Sequence, residues 1–150
     1  MPLILESRHF IITAPERPHV SRRDGGHLII NPRKTVEDRT QLDREEAIEL
    51  VKLTMIAGAA MKTVLSRKGI DIGRINYQDN GNWRHELHVH LYGRARSSTI
   101  QKWGQPLSFP PTAAAQKELD GKLEPLSAED VAELQAEMAR LLVSEKYLGF

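Results

Sequence analysis

The segment Arg84 to Arg94 reads RHELHVHLYGR. Its centre alternates polar and aliphatic residues from Glu86 to Tyr92, and Gly93 closes the run. Successive side chains of a strand point to opposite faces. Glu86, His88, His90 and Tyr92 therefore share one face, with neighbours about 6–7 Å apart, while Leu87, Val89 and Leu91 share the other. The aliphatic face needs a packing partner. The polar face is a row of titratable groups suited to proton transfer, phosphate attack or metal ligation. On spacing alone, catalysis, a ligand pair and a solvated sheet face all remain open. A metal-dependent hydrolase lacks a nameable third ligand, because His85 points to the wrong face.

Upstream lies the element best suited to cover the aliphatic face. Asp43 with Glu46 has the spacing of a capping box. Ala47, Leu50, Val51, Leu53, Met55, Ala57, Met61, Val64 and Leu65 follow at helical spacing, with Arg67, Lys68 and Gly69 as stop signals. Before this helix, Leu3–Leu5, His9–Thr13 and His27–Asn31 read as strands, the last stopping at Pro32. Ala14 to Gly26, rich in Pro, Arg and Gly, reads as a loop. Asp71 to Tyr77 reads as a strand, and Asn80-Gly81 marks the turn into the histidine strand. A basic, Pro-containing segment follows as far as Pro125. Ser127 then caps a helix over 127–146, whose narrow stripe is Val131, Leu134, Met138, Leu141 and Leu142. The order β-β-β-α-β-β-tail-α predicts an α+β domain with a largely antiparallel sheet.

Composition narrows the chemistry. The 150 residues include no cysteine, which removes disulfides, thiolate–zinc sites and a thiol nucleophile. A formal charge of +1 gives no reason to expect a long nucleic-acid partner. No signal-peptide pattern and no membrane-length apolar run occurs, so a cytoplasmic protein is expected.

ELHVHLYGR resembles the histidine-triad motif, and the likeness extends upstream. GGHLIINPRK (Gly25 to Lys34) is similar to that family's Gly-His strand ending in Pro and a basic residue. Asp43–Leu53 resembles its acid-capped helix. Asn76 and the Gly81-Asn82 turn fall where the family contacts its nucleotide. The resemblance covers roughly residues 5 to 103. It implies a HIT-like domain over 1–103, with about five antiparallel strands packed by the long helix, and a C-terminal extension over 104–150. It also implies a homodimer.

The activity implied is nucleotide phosphate hydrolysis or nucleotidyl transfer. His88 would attack the α-phosphate to give a nucleotidyl-histidine, with its other ring nitrogen held by a backbone carbonyl. His90 would bind phosphate or leaving-group oxygens, His27 would join the site, and Asn76, Gly81, Asn82 and Arg94 would contact the nucleotide. The substrate would be a nucleotide or dinucleoside polyphosphate. No cofactor or protein-held metal is called for, although a divalent cation is compatible with such a substrate.

Glu86 stands where the family has its first triad histidine. A binding module with little or no turnover is therefore the alternative. An unpaired carboxylate there would repel phosphate, so a Glu86–His27 pair that raises the His27 pKa is expected, with Arg84 or Arg94 as other partners. His9 and His19 receive no functional reading. Trp83 and Trp103 read as packing or dimer residues.

Overall fold

The computed structural model describes residues 1–150. The opening apolar runs form β1 (Leu3–Glu6), β2 (Phe10–Thr13) and β3 (His27–Pro32). β4 (Ile72–Gln78) and the histidine strand β5 (Val89–Ala95) complete one sheet in the order β1-β2-β3-β5-β4. All pairs are antiparallel. The protein is thus α+β, with the five-stranded sheet expected. Because β5 lies beside β3, His27 pairs with Tyr92 and Ile29 with His90.

α1 (Arg44–Arg67) covers the aliphatic face of the sheet. Asp43 and Glu46 form the capping box, and Gly69 follows the helix at φ +81°. Its Leu53, Ile56, Ala57, Ala60, Met61 and Val64 join Leu28, Ile30, Val89 and Leu91 in one buried cluster. Burying each large aliphatic side chain contributes roughly 1.5–3 kcal/mol, so this layer is the main source of fold stability.

Several boundaries differ from the sequence reading. β5 begins at Val89 and runs through Gly93 to Ala95, rather than spanning Glu86 to Tyr92. Gly93 is a crossing point and not a stop: its amide donates to Gly26 O at 3.0 Å, hard against the Gly25 backbone. β3 includes Pro32, paired with Phe10, and the next amide, Arg33, still reaches His9 O at 2.8 Å. The segment after β5 contains α2 (Ala113–Asp120), capped by Thr112, which no long apolar pattern announces.

The single helix expected over 127–146 is α3 (Ala128–Leu142) followed by α4 (Glu145–Leu148). The α3 stripe is spent on its own chain, since Leu134 and Met138 lie in the central cluster with Leu126 and Tyr147. Its first turn is tied to the Ala14–Gly26 loop. Asp130, with no side-chain exposure, accepts from Arg22 at 2.5 and 3.0 Å and from Ser127 N at 2.8 Å.

Burial by itself would raise the Asp130 carboxyl, but the bonds from Arg22 and Ser127 outweigh it and hold it at about 2. A pKa depressed by folding adds stability above about pH 4, and that stability is lost as the pH falls towards 2. Asp130→Asn is expected to reduce the unfolding free energy near neutral pH by about 2–3 kcal/mol, and by less near pH 3. Urea unfolding at both pH values measures this, and an equal loss at both would contradict it.

Candidate active site

The pairing of β3 with β5, the segment leading into β5 and the Ala14–Gly26 loop bring four histidines together on the polar face of the sheet. His88, just ahead of β5, lies with its ring 4.6 Å from that of His90. His88 Nδ1 is 2.7 Å from the backbone carbonyl of Glu86. A carbonyl only accepts, so Nδ1 carries a hydrogen, and in the neutral tautomer the lone pair sits on Nε2.

The other rings are ordered by one backbone amide. His19 N–H donates to His27 Nδ1 at 3.1 Å. The hydrogen of a neutral His27 must then sit on Nε2, which lies 2.8 Å from His90 Nδ1. His27 donates to His90, and His90 carries its own hydrogen on Nε2. His19 Nδ1 lies 2.9 Å from the Tyr92 hydroxyl.

Desolvation, helped by the neighbouring histidines, drives His27 well below the usual imidazole range and His90 down to about 3. Burial lowers His19 as well. All three rings are neutral at physiological pH.

The nitrogens of His19, His27 and His90 lie within 4.8 Å of one another, a spacing compatible with a metal. A metal-bound neutral imidazole, however, must carry its hydrogen on the other nitrogen. His27 Nδ1 is occupied by the His19 amide, so the cluster fits a hydrogen-bond chain better than a ligand set.

A cavity of about 240 Å³ opens over these groups. Its walls include His19, His88, His90 and Tyr92, the turn residues Gly81, Asn82 and Trp83, and Phe109. The backbone at Gly81 has φ +65°, a conformation favouring glycine in this turn.

The other expected site residues lie elsewhere. His27 is 2% exposed and acts behind His90. Arg94 and Asn76 do not line the cavity. Arg94 bonds Asn76 Oδ1 at 2.7 Å and the carbonyls of Lys102 and Gln105 at 3.0 and 2.7 Å, anchoring the chain after β5.

The expected Glu86–His27 pair does not form. The Glu86 side chain is 55% exposed and approaches Arg84 at 4.0 Å, while His27 is a buried neutral ring bonded to His19 and His90. The alternation that places Glu86 beside His88 fails because residue 86 precedes the regular strand. What Glu86 supplies to the site is its carbonyl. Glu86→Gln is therefore expected to leave kcat/KM within about twofold, against the orders of magnitude lost with a reacting group. Steady-state kinetics on a nucleotide ester decides this, and a loss beyond tenfold would return the carboxylate to the site.

Residues the sequence reading passed over complete the site. His19 sits in an irregular loop, where no periodicity marks a facing direction. Phe109 lies far from the motif but packs 5.3 Å from the His19 ring. Trp83 is not a core residue: at 66% exposure it stands on the cavity lip. Trp103 does pack, against Gly73 and under Arg96. His9 pairs with Glu49 of α1 at 2.6 Å, away from the site.

Fold and site together describe an α+β protein with a histidine cluster along one sheet face. The model of the HIT domain family matches residues 5–97, and the chain belongs to that family. Members of the family are often nucleotide hydrolases or transferases.

The fold is similar to that of a histidine triad protein from Bradyrhizobium japonicum, with a TM-score of 0.62, 16% identity, and coverage of 91% of this chain and 89% of that one. It is also similar to a hypothetical histidine triad nucleotide-binding protein from Sulfolobus tokodaii, with a TM-score of 0.58, 16% identity, and coverage of 93% and 85%. A uridylyltransferase mutant matches with a TM-score of 0.55 and 21% identity, over 94% of this chain and 44% of that one. At such identities the likeness is one of fold. A comparison with the curated proteins finds no significant match. No helix is long and apolar enough to cross a membrane.

Proposed function

We propose that this protein is a nucleotide phosphate hydrolase or nucleotidyl transferase that works through a covalent nucleotidyl-histidine on His88. The observation carrying this reading is the 2.7 Å contact between His88 Nδ1 and the Glu86 carbonyl, which in the neutral ring places the lone pair on Nε2, in a side chain that lines the cavity. That lone pair attacks the α-phosphorus in line. The P–N bond forms as the bond to the leaving oxygen breaks, and that oxygen departs with the electron pair. His90, backed by His27, donates Nε2–H to a phosphoryl or leaving-group oxygen. Water or another acceptor then attacks phosphorus, the P–N bond breaks, and Nε2 recovers its pair. This chemistry relies on positioning and hydrogen bonding, both supplied by an ordered histidine chain.

Incubation with α-labelled nucleotide followed by alkaline quenching is expected to trap an acid-labile, base-stable label on His88. A γ-label should give none. Nucleotide binding with neither label nor turnover would assign the protein as a binding module instead.

The same reading includes a homodimer. Val51 on α1 and Tyr77 on the edge strand β4 are exposed apolar side chains available to it. Light scattering showing a monomer at micromolar concentration would remove it.

A further inference from the structure

The histidine cavity is one of two lobes. A second cavity, of about 410 Å³, lies on the other side of Trp83, whose exposed indole lines both. Its remaining walls come from Arg17 of the Ala14–Gly26 loop and from Pro111, Ala113 and Lys117 of the C-terminal segment, with Thr112, Gln116 and Asp120. The two lobes have different chemistry. The first is walled by imidazoles and aromatic rings around His88, and its one cation, Arg84, is bonded to Asn31 Oδ1 at 2.7 Å. The second holds two cations, Arg17 and Lys117.

Those cations are available. Every other loop arginine has an acceptor: Arg22 has Asp130, and Arg23 has Glu124. Neither Arg17 nor Lys117 makes an ion pair or a side-chain hydrogen bond. The one carboxylate in the lobe, Asp120, already accepts from Gln116 Nε2 at 2.6 Å. With two unpaired cations against one carboxylate, the lining carries a net positive charge and attracts negative charge. Arginine and lysine from different elements are well suited to grip phosphate oxygens from two sides.

We infer that the second lobe is a subsite for a further phosphate-bearing part of the substrate, bonded to the phosphate that His88 attacks and held by Arg17 and Lys117. This rests on the catalytic reading above and narrows it. The preferred substrate is a nucleotide anhydride, with at least two linked phosphates, rather than an ester or amide of a single nucleotide phosphate with a neutral group. Trp83 forms the shared wall, so the chain of phosphates passes beside the indole. The subsite is assembled from a loop and a helix distant in sequence, and no contiguous motif encodes it.

The test compares two substrates carrying the same adenylyl group, ATP and adenosine 5′-(p-nitrophenyl phosphate), which leave pyrophosphate and a nitrophenol. Arg17 and Lys117 are exposed, so Arg17→Gln, Lys117→Gln and the double variant should all fold. The double variant is expected to lose at least about tenfold in kcat/KM on ATP, chiefly through KM, and to stay within about twofold on the nitrophenyl ester. Equal losses on both substrates, or no loss on ATP, would overturn the subsite.

A second arm does not need turnover. Calorimetric titration with inorganic pyrophosphate is expected to show binding to the wild type that weakens at least about tenfold in the double variant. If the wild type turns over neither substrate while pyrophosphate binding still depends on both cations, the catalytic reading falls and the subsite stands. Turnover of both, with no dependence of rate or binding on the cations, removes the subsite alone.

Discussion

His88→Ala is expected to reduce turnover by several orders of magnitude while the protein remains folded. Under the proposed mechanism the neighbouring rings cannot stand in for His88. His90 is turned to His27 through Nδ1 and keeps a hydrogen on Nε2, so it has no free lone pair to offer. His27 is buried behind it. Loss of the P–N bond-forming atom should therefore leave only what binding and hydrogen bonding achieve. The stability cost should be small, because the ring makes one side-chain hydrogen bond, to the Glu86 carbonyl, and lies on the cavity wall. Steady-state kinetics together with circular dichroism tests both halves. Retention of more than about a tenth of kcat, equivalent to only ~1.4 kcal/mol of barrier, would rule out the covalent mechanism.

The largest effect on stability is expected from Gly93→Ala. Gly93 lies midway along β5 where the chain at Gly25 crosses it. A Cβ on Gly93 would stand 1.9 Å from Gly25 O, and one on Gly25 would stand 2.2 Å from Gly93 O. Both obstacles are backbone atoms, so no side-chain rotation relieves them, and the Gly93–Gly26 hydrogen bond would break as the strands part. The displacement would propagate to His90 and Tyr92, which pair with β3 just upstream. A loss of roughly 3–5 kcal/mol, or failure to accumulate folded protein, is expected. Gly121→Ala is the control, since its new Cβ would approach nothing closer than 3.9 Å. Urea unfolding that places the two variants within about 1 kcal/mol of each other would show that the crossing is looser than described.

Much of the fold was legible because its signals are local. The capping box at Asp43 and Glu46, the helical periodicity up to Leu65 and the Ser127 cap each act within a turn or two of chain, and each formed as expected. The alternation of the histidine strand was legible in the same way for His88, His90 and Tyr92. It misled at Glu86, because a period of two holds only while the backbone is a strand, and the chain bends before Val89. It misled again at Gly93, where glycine reads as a stop but answers a close approach from a distant loop.

The sequence by itself determined the α+β class and the long covering helix, and it singled out His88 as the candidate for the reacting residue. These follow from periodicity, capping and a family motif written in contiguous residues. Tertiary structure alone decided which groups complete the site. It set His27 behind His90, brought His19 and Phe109 over them, withdrew Arg94 to hold the following turn, and left Arg17 and Lys117 facing one lobe. It also fixed the protonation of the rings. A hydrogen bond from the His19 amide and the desolvation of a buried imidazole are properties of three-dimensional neighbours, and no spacing along the chain encodes either.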